Sequence, residues 1–164
     1  MTTSEAARVA EKALRELPLA EIRLTEHYYY GSLSLCVLDA VFSIGVLYAS
    51  TAATVGRYCD AFGIQRIRSD RTGWPAREQQ EPLADLVARI EQLGAQAFAE
   101  ALGNRQRTSA RNGILKAEAV GQFARVLRRF GIEHFQDLPS FGSSAKLDAA
   151  LRKVHGQASG ISVQ

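Results

Sequence analysis

Apolar residues recur at helical spacing along nearly the whole chain, and no stretch alternates apolar with polar for more than four residues. That pattern favours helices packed on helices and predicts an all-α fold, a compact multi-helix domain spanning 1–164. Only 4 prolines and no Gly/Ser-rich linker interrupt it, so nothing calls for a second domain.

Ser4 is placed to cap a first helix, with Ala7, Val9, Ala10, Leu14 and Leu17 mostly on one face and a stop at Pro18. A shorter helix is expected over Ala20–Glu26, followed by a hinge at His27–Gly31 and a very apolar helix from Leu33 to about Ile44. Ser50 or Thr51 suits the cap of the next helix, which should stop at Gly63. Residues 64–81 lack an apolar period and read as a long surface loop. Leu83, Leu86, Val87, Ile90 and Leu93 mark a helix that breaks at Gly94 and resumes to Leu102. After a basic loop over 103–113, Leu115–Phe130 forms a strongly amphipathic helix, and Ala145–Val154 a last one.

The N-terminus is charged throughout, without the apolar region of a signal peptide. The stretch Leu33–Ala49 contains Asp39 and falls short of the roughly 18–20 clean apolar residues of a membrane span. Cys36 and Cys59 sit in apolar helical patterns, as buried thiols of a reducing, cytoplasmic compartment would. The three histidines are scattered and offer no metal-ligand spacing, and no cofactor-binding loop is present. Asp39, inside an apolar helix, needs an arginine or a helix terminus as partner. Tyr28–Tyr30 suit hinge packing or base stacking, and Trp74, beside four arginines, suits a mobile loop or a nucleic-acid contact.

The net charge of +3 says little, but its placement says more. Between Arg105 and Arg129 lie Arg105, Arg107, Arg111, Lys116, Arg125, Arg128 and Arg129 against the single acid Glu118. Such a cluster attracts polyanions. Downstream, LDAALRKVHGQASGIS reads as a helix, a tight glycine turn and a second helix start capped by Ser159. Backbone N–H groups at such a start converge on an anion, here with Lys153 alongside.

Three segments together resemble the helix-hairpin-helix DNA glycosylases of the endonuclease III-like superfamily. SLCVLDAVFSIGVLYASTAATVGRYCDAF resembles that family's apolar helix, polar break and amphipathic helix; RNGILKAEAVGQFARVLRRFG resembles its "rnKAe.i" helix through Lys116, Ala117 and Glu118; LRKVHGQASGIS lies where the family has its LPGVGRKTA-like hairpin. The resemblance covers about 32–164 and implies a domain like the endonuclease III six-helix barrel, ending in a helix-hairpin-helix.

It also implies a partner, the phosphate backbone of duplex DNA. Lys153, Gly156, Gln157, Ala158, Ser159 and Gly160 would contact it at the turn, and Arg105, Arg107, Arg111 and Lys116 beside it. The departures imply lost chemistry. His155 replaces the hairpin's proline, Ala158 its second glycine, and Gly160 stands where bifunctional members carry a lysine; Gly45 stands near the place of a residue some members insert into the base stack. The chain ends at Gln164, about one turn into the second hairpin helix and before the family's catalytic aspartate, so no catalytic residue, metal or cofactor is expected. The shortened helix would expose apolar surface and favour self-association. The rival expectation is a helical protein-interaction module that keeps this scaffold without DNA chemistry.

Overall fold

A computed structural model describes residues 5–17, 25–140 and 144–157. Among them the secondary structure is helical: α1 (Glu5–Glu16), α2 (Leu33–Phe42), α3 (Tyr48–Phe62), α4 (Leu83–Ala101), α5 (Lys116–Arg129) and α6 (Ala145–Leu151), with short 3₁₀ turns at Glu26–Tyr28, Arg77–Gln79 and Phe135–Ser140. The β-type pairing among the described residues is limited to two isolated bridges, Tyr30 with Ile67 and Arg107 with Leu115. The expected all-α class holds.

Helix α5 is the centre of the packing and touches α2, α4 and α6. Its inner stripe, Ala117, Val120, Phe123, Ala124 and Leu127, is buried as its period requires. Around it close Leu35, Leu38 and Phe42 from α2, Val55 and Tyr58 from α3, Leu83, Leu86 and Phe98 from α4, and Leu151 and Val154 at the end of the chain's described part. Helix α4 breaks where the sequence places the break: Gly94 has φ 77° and ψ 151°, a conformation closed to ordinary side chains. Helix α3 begins earlier than the Ser50 or Thr51 expectation, at Tyr48 after Leu47. Ser50 and Thr51 lie inside its first turn, where the Ser50 carbonyl accepts from Thr54 Oγ1 at 2.8 Å. Helix α6 does carry a side-chain cap, Ser144 Oγ accepting from Leu147 N at 3.3 Å.

The apolar residues of α1 do not find a core: Val9, Leu14 and Leu17 stand 64%, 69% and 50% exposed. The Ser4 cap, Pro18 and most of the expected Ala20–Glu26 helix lie outside the described residues.

The 64–81 segment is not a free loop. Gly31 N donates to Arg66 O and Arg68 N to Tyr29 O, both at 2.9 Å, which ties it to the start of α2. Gln80 bridges Pro75 O and Gln136 Oε1, each at 2.8 Å. Arg77 clamps Asp137 at 2.5 Å, and that hydrogen bond pulls the Asp137 carboxyl down to about 2. Trp74 stacks on Phe135 with centroids 6.0 Å apart, and the Arg68 guanidinium covers Tyr29 at 5.2 Å. Backbone bridges and polar and aromatic side-chain contacts, invisible to an apolar period, hold this part together.

Candidate nucleic-acid interface

After α4 the chain turns back on itself over 104–116 and builds a short hairpin. Asn104, buried, anchors its base: the side-chain amide donates to Thr54 Oγ1 at 2.8 Å and its carbonyl oxygen accepts from Gln106 N at 3.0 Å. The two arms join through Thr108 N to Ile114 O at 2.9 Å and Lys116 N to Gln106 O at 2.8 Å. Asn112 takes a left-handed φ of 54° at the tip.

The three arginines of this hairpin are exposed but not equivalent. Arg105 pairs with Glu100 at 2.8 Å. Both partners are well solvated, and such a pair is weak enough to open for a stronger anion. Arg107 Nη1 donates to Gly113 O at 2.7 Å and staples the two arms. Arg111 stands at the tip, and its guanidinium has no partner among the described residues.

Lys116 departs from the expected outward grip. It is 3% exposed, and its ammonium donates to Phe42 O at 2.9 Å, Ile44 O at 2.7 Å and Gln106 Oε1 at 3.1 Å. An ammonium has three donors, so none is left for a phosphate. Burial pulls its pKa down, while the carbonyl end of α2 supplies the compensating negative dipole. Lys116 therefore fixes the hairpin to the end of α2.

The basic cluster is also thinner in space than in sequence. Arg125 is neutralised by Glu91 at 3.0 Å and Arg128 by Glu133 at 2.6 Å. Arg129 and Lys153 remain exposed without a partner among the described residues.

The second expected contact, the turn after α6, is described through Gln157; Ala158, Ser159 and Gly160 lie outside the described residues. Val154 N donates to Leu151 O and Gln157 N to Val154 O, both at 3.0 Å, so the chain bends tightly here. Gly156 has φ 85°, as a glycine turn requires. A Cβ at Gly156 would stand 2.8 Å from Thr108 Cβ. The described part of the turn thus lies directly against the hairpin at Thr108. Gln157 is 1% exposed and its side-chain amide has no hydrogen-bond partner, so it belongs to the floor beneath the turn and not to its outer face.

Asp39 has a tyrosine as its hydrogen-bond partner, and of the two partners expected the arginine is present as the nearby charge of Arg66. Tyr30 OH donates to Asp39 Oδ2 at 2.7 Å. Burial pushes the Asp39 carboxyl above the usual carboxylate range, opposed by the Tyr30 hydrogen bond and the charge of Arg66. Tyr28 stacks on Tyr48 at 5.7 Å and stays half exposed, while Tyr30 is buried. No signal in the sequence linked Tyr30 to Asp39. Cys36 and Cys59 are both free thiols, Cys59 buried and Cys36 partly so. Among the described residues no group of His, Cys, Asp and Glu could hold a metal ion, and no helix is long and apolar enough to cross a membrane.

These features define a helical domain carrying a basic hairpin beside a glycine turn. The chain belongs to the DUF8548 family, a domain of unknown function, whose family model matches residues 7–164. No curated protein and no solved structure matches it.

Proposed function

We propose that this chain binds duplex DNA non-specifically, gripping phosphates between the 105–111 hairpin and the turn at 153–160. One observation carries the reading: Gly156 packs on Thr108, which brings the glycine turn beside the hairpin that bears the arginines. In this reading Arg111, Arg105 and Lys153 supply exposed positive charge, Arg107 shapes the hairpin, and Gly156 gives the turn its left-handed bend. The resemblance to endonuclease III-like glycosylases supports the same face and suggests a degenerate helix-hairpin-helix related to base-excision repair proteins. With Gly160 at the lysine position, the reading carries no Schiff-base lyase step at this turn.

The test is the salt dependence of binding to a labelled duplex. A few phosphate contacts imply a log–log slope on the order of −3 to −5, equal for unrelated sequences. Salt-insensitive binding, or none at low ionic strength, rejects the reading. A protein-interaction module is the second reading, favoured by the exposed Val9 and Leu14 of α1 and Leu17 just after it. It predicts self-association or partner capture that disappears when these three become polar, with DNA binding absent.

A further inference from the structure

We propose that the groove between α5 and α6 is a binding site for a small amphiphilic anion, an apolar chain or ring ending in a carboxylate or phosphate. Helix α6 is only 7 residues long and covers part of the α5 face, leaving a half-open groove of about 420 Å³. That volume lies in the range of small-ligand sites, about 300–1,000 Å³. Its floor is apolar: Val126 from α5 and Phe130 just after it, Ala150 from α6 and Val154 just after that helix. Its polar lining is dominated by cations, Arg125, Arg129 and Lys153.

The charge on this rim is only partly spent. Arg125 gives Nε and Nη2 to Glu91 at 3.1 and 3.0 Å. Arg129 and Lys153, one on each wall, have no partner among the described residues. An anionic head between them would gain charge-assisted hydrogen bonds while its apolar body leaves water against the floor. A nucleic acid backbone satisfies the cations and leaves the floor wet. A neutral apolar molecule dries the floor and leaves the cations unused. Both requirements meet in an amphiphilic anion. The site is separate from the DNA face in all but Lys153, and Arg129 is the residue that tells the two apart.

The experiment uses the full chain with anilinonaphthalene sulfonate as fluorescent probe, displaced by decanoate, decanol or decyltrimethylammonium. Decanoate should displace the probe at least about tenfold more effectively than either of the others, since one charge-assisted contact is worth roughly that factor. Arg129→Gln should weaken decanoate binding by about the same factor and leave duplex binding unchanged. Ala150→Leu, which fills the groove without removing charge, should block the probe, with circular dichroism and a melting curve reporting that the fold is intact. Cosedimentation with phosphatidylglycerol vesicles, lost in Ala150→Leu, would assign the anion to a lipid headgroup; displacement by free decanoate without cosedimentation assigns it to a free amphiphile. Equal displacement by all three decyl compounds, or an Arg129→Gln variant that binds decanoate like the parent, overturns the proposal whatever the outcome for DNA.

Discussion

Gly156 and Thr108 are in contact although one follows α6 and the other sits in the hairpin before α5: a Cβ added to Gly156 would approach Thr108 Cβ to 2.8 Å and Cγ2 to 3.1 Å. The glycine is required twice over, by its φ of 85° and by the lack of room. The contact joins the turn to the hairpin that bears Arg105, Arg107 and Arg111. Gly156→Ala should therefore cost about 2–4 kcal/mol of stability by urea denaturation, part strain and part overlap. Thr108→Gly in the same chain should recover the overlap and leave roughly the 1–2 kcal/mol of a left-handed alanine. If the second substitution recovers nothing, the two segments do not press on one another.

Lys116 gives the second prediction. Its ammonium satisfies Phe42 O and Ile44 O, and Lys116→Met would leave these carbonyls without it. The expected loss is about 2–4 kcal/mol, measured by denaturation. At a temperature where the variant is folded, the salt slope of DNA binding should match the parent. A slope smaller by about one unit would return Lys116 to direct phosphate contact.

The two lysine-bearing regions show how far the sequence could be read. The apolar periods of α2, α4 and α5 and the break at Gly94 follow from local spacing, because each helix must bury one stripe whatever it packs against. The burial of Lys116 depends on where the carbonyl end of α2 arrives, a long-range fact that local charge counting misses. For the same reason Glu91 and Glu133, far from the basic run or just beyond it, quench Arg125 and Arg128 unnoticed. The hairpin arginines were legible as a cluster; their division into staple and free tip was not.

Asp39 makes stability depend on pH. Its carboxyl is raised above the ordinary value of 3.8, so the folded chain holds a proton that the unfolded chain releases. The favourable contribution is complete below 3.8 and is lost as pH rises through the higher folded value. Buried Glu81 is raised in the same direction and contributes equally to parent and variant. Asp39→Asn removes only the Asp39 part, so its melting temperature relative to the parent should climb from acid to neutral pH. A difference that stays flat would show that Tyr30 and Arg66 fully offset the burial.

Gly94 isolates backbone strain from packing, since nothing lies within 4 Å of a Cβ built there. Gly94→Ala should lose about 1–3 kcal/mol through φ and ψ alone. Gly121→Ala is the contrast, in mid-α5 with ordinary helical angles and a 3.4 Å contact to Ile90 Cγ2. There the helix preference for alanine, about 1 kcal/mol, offsets the tight contact, and chemical denaturation should find little change. Equal losses at the two sites would make the kink in α4 a packing effect.

The hairpin arginines allow the DNA reading to be separated from hairpin structure. Arg111 stands free at the tip, so Arg111→Ala should leave stability within about 0.5 kcal/mol and reduce the salt slope by about one unit. Arg107 holds Gly113 O, and the planar guanidinium is what reaches that carbonyl. Arg107→Lys keeps the charge and gives up the staple, so the melting temperature should fall while the salt slope stays near that of the parent. Arg107→Ala should lose both. Arg125→Ala serves as the counter-test, because its charge already belongs to Glu91 and its removal should not move the slope. A slope that responds to Arg125→Ala and ignores Arg111→Ala would move the contact from the hairpin to the outer face of α5, and with it the claim that the turn at Gly156 shares in the grip.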